Sequence, residues 1–111
     1  MESKATMKNG RYKGATTVLK LEDNQLIFCT KSLWIRSMFG VLGEAMVSAK
    51  ERFRINIYNV TCLKITETWT GKPIYEFVTS DNTYKVMFKE DNELSCFLKN
   101  ALKNVVVLEK E

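Results

Sequence analysis

Three cysteines are the best candidates for nucleophiles or metal ligands in this sequence, which contains no histidine. Cys29, Cys62 and Cys96 are far apart and form no CxxC pair. Zinc sites usually take their ligands in closely spaced pairs, and a disulfide framework needs an even number of cysteines. Each cysteine has apolar neighbours. We therefore predict three buried free thiols, no bound metal, and a reducing compartment, the cytoplasm.

The acidic residues do not suggest catalysis either. The two acidic pairs are Glu22-Asp23, which fits a turn, and Glu90-Asp91, which fits the start of a helix. The sequence has no glycine-rich phosphate loop and no nucleophile elbow. The absence of histidine also removes the commonest general base. We predict a protein that is not an enzyme, requires no cofactor and has no small-molecule substrate.

Positive charge is concentrated in two parts of a chain whose net charge is +4. Residues 1–14 and residues 31–54 each have a net charge of +3. Such segments can attract anionic lipid or nucleic acid. Nucleic acid is not expected as a partner, because basic and aromatic residues do not interleave on any face of a predicted strand.

The most apolar part of the sequence is WIRSMFGVLGEAMV, residues 34–47. Three interpretations remain open: extra core, a surface for self-association or a protein partner, or a membrane-contacting lobe. The candidate partner-binding residues are Trp34, Arg36, Met38, Phe39, Leu42 and Met46. The candidate lipid-binding residues of the alternative are Lys31, Arg36, Lys50 and Arg52.

Hydrophobic periodicity predicts the elements around this segment. Alternation typical of strands predicts them at 15–21, 26–30, 52–58, 63–69, 74–79 and 84–88. In the third of these, Phe53 and Ile55 lie on one face and Arg52 and Arg54 on the other. Asp91 is the predicted N-cap of a helix whose apolar stripe continues to Val105. Residues 1–12 are expected to form a flexible basic tail before a single domain at 13–108.

These patterns resemble the PH-like superfamily, and within it the GRAM and bacterial PH-like domains. The resemblance covers residues 10–104 and rests on three features. They are the hairpin LKLEDNQLIF (19–28), the segment INIYNVTCLKI (55–65), and the strands IYEFVT and YKVMF followed by a helix.

The resemblance implies a mainly β (α+β) fold and a non-catalytic binding module. The expected fold is a bent antiparallel sheet or barrel of about seven strands, capped by one C-terminal α-helix, with an apolar insert between strands 2 and 3. PH domains that bind phosphorylated lipids place lysine and arginine in their first hairpin loop. In this sequence that loop is expected at residues 22–25, where Glu22 and Asp23 would repel a phosphorylated headgroup, so headgroup recognition of the PH type is not expected.

The sequence therefore predicts a cytoplasmic module that self-associates or binds a protein through residues 34–47. The alternative is a peripheral membrane protein that binds anionic lipid through the same segment and its flanking lysines and arginines. No secretory signal and no transmembrane segment is expected.

Overall fold

The computed structural model describes residues 1–30 and 50–110, which form eight strands and one α-helix. The predicted mainly β class with one helix near the C-terminus is confirmed. The elements are β1 (Glu2–Met7), β2 (Thr16–Glu22), β3 (Gln25–Thr30), β4 (Lys50–Asn56), a 3₁₀ turn (Ile57–Asn59), β5 (Cys62–Glu67), β6 (Ile74–Val78), β7 (Thr83–Phe88), α1 (Glu93–Ala101) and β8 (Val106–Lys110). The apolar run at 34–47, predicted as an insert, lies outside the described residues.

All eight strands belong to one sheet, in the order β4-β3-β2-β1-β7-β6-β5-β8. Every neighbouring pair is antiparallel except β5 and β8, which are parallel. The sheet is open, with β4 and β8 at its two edges. Among the described residues, no helix is long and apolar enough to cross a lipid bilayer.

The core lies against one face of the sheet and is covered by α1. Leu19, Phe77 and Phe88 are fully buried at alternate positions of β2, β6 and β7, as a period of two requires for a half-buried sheet. In β3, every residue from Leu26 to Thr30 is buried. The predicted apolar stripe of the helix supplies three buried leucines, Leu94, Leu98 and Leu102. Burial of these apolar side chains is the main favourable term for the fold.

The predicted hairpin at residues 19–28 is present and has a tight two-residue turn. Glu22 pairs with Gln25 across the turn, and Asp23 and Asn24 have positive φ values of 49° and 63°. Two successive residues with positive φ match the twist of antiparallel strands, and asparagine and aspartate tolerate that conformation. This hairpin joins β2 to β3 and is therefore the second of the chain.

Part of the segment expected to be a flexible tail, residues 1–12, is a strand in the structure. Residues 2–7 form β1, which pairs with β2 on one side and with β7 on the other. Ala5 and Met7 are 7% and 2% exposed and face the core, whereas Lys4 and Thr6 face outward. With only one small and one flexible apolar residue directed inward, the segment ESKATM lacks a clear hydrophobic pattern.

The helix is shorter than predicted, and it is not the last element. Its N-cap is Asn92 instead of Asp91: the Asn92 side chain accepts from the Ser95 N–H at 3.0 Å, and the Ser95 hydroxyl accepts from the Asn92 N–H at 2.8 Å. This reciprocal capping box satisfies two amide groups of the first turn. The chain turns after Leu102, and the following valines, which favour extended structure, form β8.

A matched pair of variants tests the position of β1. Ala5→Asp places a charge in the core and should lower the free energy of unfolding by at least about 3 kcal/mol. Thr6→Asp introduces the same charge on the outer face and should cost less than about 1 kcal/mol. Urea denaturation measures both values. Equal, small effects would mean that residues 2–7 are a loose tail.

Tyr75 should contribute to the loss of stability at alkaline pH. Its side chain is fully buried, its hydroxyl donates to the Ser95 carbonyl at 3.4 Å, and burial raises its pKa to about 12. The unfolded chain loses this proton near pH 10. Stability due to this difference is therefore complete below about pH 10 and is lost as the pH rises through about 12.

The expected contribution is roughly 2 to 3 kcal/mol, since this proton is lost near pH 10 from the unfolded chain and near pH 12 from the folded one. Tyr75→Phe removes the titrating group, so its free energy of unfolding should fall less steeply than that of the wild type above pH 10. Tyr58→Phe, at an exposed position, serves as the control. Parallel curves for wild type and Tyr75→Phe would contradict the prediction.

A basic and aromatic cleft as candidate functional site

A cleft of about 510 Å³ opens where the β1–β2 loop meets β4 and the start of β7. Its lining combines aromatic rings, a guanidinium and polar groups from three separate parts of the chain. The lining residues are Met7, Asn9, Gly10, Arg11, Tyr12, Phe53, Asn82, Thr83 and Tyr84. A concave site with an apolar floor and a few polar groups at its mouth is the usual form of a ligand site.

The β1–β2 loop, KNGRYKG at residues 8–14, is held in shape by its own backbone. The Lys13 N–H donates to the Gly10 carbonyl at 3.2 Å, and the Gly14 N–H donates to the Met7 carbonyl at 2.8 Å. Gly10 and Gly14 have φ values of 77° and 85°, a region that residues with a side chain rarely adopt. These two hydrogen bonds and the two glycines fix the backbone of the loop on both sides of Arg11 and Tyr12.

Asn9 fixes this loop to the neighbouring strand β7. Its side-chain amide donates to the Thr83 carbonyl at 3.0 Å and accepts from the Lys85 N–H at 2.9 Å. The side chain thus continues the pairing of β1 and β7 beyond Met7, where the strand ends. The Lys8 N–H also donates to the Lys85 carbonyl at 2.9 Å.

Three aromatic rings, those of Tyr12, Phe53 and Tyr84, line the cleft, and the fully buried Phe28 packs against Phe53. Phe53 stacks on Phe28 at a centroid distance of 4.5 Å, on Tyr84 at 5.0 Å and on Tyr12 at 6.4 Å. The three contacts join β4 to β3, to β7 and to the β1–β2 loop. Since such pairs add to the stabilisation from area burial alone, this cluster fixes the position of the edge strand β4.

A β-bulge places Arg52 against Tyr12, one of the lining residues of the cleft. Phe28 pairs with Phe53, but the next residue, Cys29, pairs with Glu51, so Arg52 is an extra residue in β4. A bulge redirects the side chain of the extra residue. The Arg52 Nε donates to the Thr30 hydroxyl at 3.0 Å, and its guanidinium lies 5.4 Å from the Tyr12 ring centroid. The predicted alternation of Arg52 with Phe53 is therefore interrupted at this point.

Two guanidinium groups from separate elements meet at Tyr12. Arg11 lies 5.7 Å from the Tyr12 ring centroid, and Arg52 approaches the same ring. Among the described residues, the ion pairs are Arg54–Glu51, Lys64–Glu109 and Lys85–Glu76, and none draws on Arg11 or Arg52. The planar guanidinium is well suited to bidentate recognition of phosphate or carboxylate. The cleft is thus chemically suited to an anion.

The thiols do not supply a reactive group to this site. All three cysteines are free, but only Cys29 is buried as predicted; Cys62 is half-buried and Cys96 is exposed. Burial raises the pKa of the Cys29 thiol above its ordinary value, which favours the unreactive protonated form. Residues 1–30 and 50–110 contain no group of three or more side chains placed to hold a metal ion.

The structure places one of the predicted lipid-binding residues beside the cleft. Arg52 lies against the lining residue Tyr12 without lining the cleft itself, and Lys50 is exposed at the start of β4, opposite Thr30. The other predicted lipid-binding residues, and all the predicted partner-binding residues, lie outside the described residues. Those residues are Lys31, Trp34, Arg36, Met38, Phe39, Leu42 and Met46.

Sequence reasoning missed Arg11, Tyr12 and Tyr84 as site residues. The signal was the segment KNGRYKG, in which two glycines enclose a basic and aromatic pair. Two glycines close together mark turns, and a turn between two strands would have placed Arg11 in a hairpin loop. Assigning residues 1–12 to a tail concealed this pattern.

Comparison with known proteins adds no assignment, because neither a family model nor a curated protein matches the chain.

Asn9→Ala should loosen the cleft. The substitution leaves a carbonyl and an amide of β7 without their partners, so the free energy of unfolding should fall by about 1 to 3 kcal/mol. Amide exchange at Lys85 should become faster, since that N–H loses its acceptor. Asn59→Ala, at an exposed position, is the control. If Asn9→Ala leaves both stability and exchange unchanged, the Asn9 bridge does not form in solution.

Proposed function

We propose that this protein is a non-catalytic binding module of PH-like type, and that its cleft takes the anionic headgroup of a membrane lipid. The observation that carries the proposal is that the guanidinium groups of Arg11 and Arg52 lie 5.7 Å and 5.4 Å from the ring centroid of Tyr12, which lines the cleft. The module would act as a cytoplasmic protein that binds the membrane surface peripherally.

The arrangement of elements supports the PH-like assignment. The resemblance implies about seven antiparallel strands followed by a helix that caps the sheet. Strands β1 to β7 pair antiparallel wherever they are neighbours, and α1 follows β7 with its leucines in the core. β8 is an addition to this plan, since it returns to the sheet after the helix and pairs with β5.

The position of the basic residues supports an anionic ligand. In lipid-binding relatives of the PH type, lysine and arginine stand in the first hairpin loop. With β1 as the first strand, that loop is KNGRYKG and carries Lys8, Arg11 and Lys13. The acidic turn at Glu22-Asp23 belongs to the second hairpin. The expected repulsion of a phosphorylated headgroup therefore does not apply to the first loop.

The aromatic rings favour a membrane lipid over a free anion. Tyr12, Phe53 and Tyr84 are half-buried and place an apolar surface beside the two guanidinium groups. Aromatic side chains with a polar group are favourable at the boundary between headgroups and acyl chains. Self-association or protein binding through residues 34–47 remains an expectation, because that segment lies outside the described residues.

Binding to lipid vesicles tests the proposal. The wild type should bind vesicles that contain phosphorylated inositol lipids or phosphatidylserine, and should not bind vesicles of phosphatidylcholine alone. Arg11→Gln should weaken binding about fivefold, since one basic residue near an anionic surface contributes about 1 kcal/mol. Binding of both proteins should weaken as salt is raised, because salt screens charge.

Lys103→Gln is the matched control, since it removes the same charge from an exposed position after α1. An equal loss for Lys103→Gln would show general attraction to negative charge instead of a site in the cleft. Soluble inositol phosphate as a competitor separates two sources of the anion. Binding of the soluble compound without any binding to vesicles would assign the cleft to a free phosphate and exclude the membrane. No binding of either would refute the proposed function.

A further inference from the structure

The two edges of the sheet differ in how they are protected. β4, KERFRIN, carries four charged residues in seven and contains the bulge at Arg52. Charged side chains and bulges are features by which native proteins prevent an edge strand from pairing with another chain. β8, VVLEK, begins with three apolar residues and has an uninterrupted register. The edge at β8 therefore lacks the protection that the edge at β4 has.

The apolar side chains of β8 are exposed although the strand is firmly placed. Val107 is 45% and Leu108 is 69% exposed. The register with β5 is held by the ion pair Lys64–Glu109 at 3.3 Å and by the opposite charges of Glu67 and Lys110, which are register partners. Leu108 pairs with Ile65, which faces the core, so Leu108 points to the same face but lies beyond the covered part of it.

The direction of the backbone groups of β8 follows from its pairing with β5. The Leu63 N–H donates to the Val105 carbonyl at 2.9 Å, and Leu63 is the register partner of Val106. In a parallel ladder, the residues that bond to the neighbouring strand alternate with those that face away. Val105, Val107 and Glu109 therefore bond to β5, and the backbone groups of Val106, Leu108 and Lys110 point outward from the edge.

We propose that β8 is an interaction surface for a second copy of this chain, and that the two copies of β8 pair antiparallel about a two-fold axis at Leu108. Only this register overlaps the whole strand, with Val106 opposite Lys110 of the second copy and Leu108 opposite its equivalent. In this register the outward backbone groups of Val106, Leu108 and Lys110 face those of the second copy and can hydrogen-bond to them. The two exposed leucines cover each other at the centre.

The two-fold arrangement suits the charges of the strand. Glu109 and Lys110 sum to zero, so two copies of β8 approach without net repulsion, and the basic loop at residues 8–14 is not part of the contact. A second copy supplies the same unprotected edge by symmetry, which closes the assembly at two chains. Five residue pairs bury less than the roughly 1,200 Å² of a stable interface. The dimer should therefore be weak and should form only at high protein concentration.

Sedimentation of the wild type over a wide concentration range tests the dimer. The mass should rise towards that of two chains with concentration. Leu108→Lys places two like charges opposite each other at the axis and should raise the dissociation constant at least about tenfold. Trp69→Lys makes the same change at another exposed apolar residue, 85% exposed and outside β8, and should leave the dimer intact. A wild type that stays monomeric, or a dimer unaffected by Leu108→Lys, would overturn the proposal.

Cross-linking tests the register separately from the affinity. In a chain whose accessible thiols are removed by Cys62→Ser and Cys96→Ser, Leu108→Cys should form a disulfide dimer under mild oxidation. The Cα atoms of a hydrogen-bonded antiparallel pair lie about 5.5 Å apart, within the range of a disulfide. Lys110→Cys is the control, because its two copies would lie about 13 Å apart along the strands. Equal yields for the two variants would refute the register about Leu108.

Discussion

The insertion of β1 between β2 and β7 is the constraint on which the rest of the molecule depends. On one side of β1 lie β2, β3 and β4, and on the other lie β7, β6, β5 and β8. β1 is therefore the only described strand that hydrogen-bonds to both groups, and its inward residues Ala5 and Met7 join their cores. The β1–β2 loop, residues 8–14, follows β1 directly and therefore also lies between the two groups of strands. Its contacts with β7 and β4 create the cleft.

Strands and turns could be predicted from the sequence wherever the local hydrophobic pattern and the contacts with distant residues favour the same structure. The alternation from Ala15 to Leu21 and the Asp23-Asn24 turn predict a hairpin, and the structure contains it. β1 and β8 were missed for different reasons. β1 has few inward apolar atoms and depends on two neighbours that are distant in sequence. Just before β8, Val105 continues the spacing of the helical stripe, so the sequence favours a longer helix there, and the pairing with β5 keeps Val106–Lys110 extended.

The candidate site was harder to predict than the fold, because it depends on one irregularity. A period of two places Arg52 and Phe53 on opposite faces of β4. With the bulge, Phe53 lines the cleft and Arg52 lies against Tyr12, another lining residue. Nothing in KERFRIN marks the bulge, since its position is set by how β4 aligns with β3 and by the stacking of Phe53 on Phe28 and Tyr84. A register shift of one residue is thus enough to convert an outward arginine into a site residue.

The cleft and the β8 edge use different parts of the sheet, and this separation has a consequence for binding. The cleft is lined by residues from β1, β4, β7 and their loops, and no residue of β8 contributes to it. Pairing through β8 therefore leaves both clefts of a dimer open. If the proposed headgroup binding holds and both clefts of a dimer reach one surface, the second contact would be intramolecular. A weak affinity for a single headgroup would then become a stronger one for a surface that carries many. A weak dimer would then form preferentially on that surface, because binding raises the local concentration of the chain.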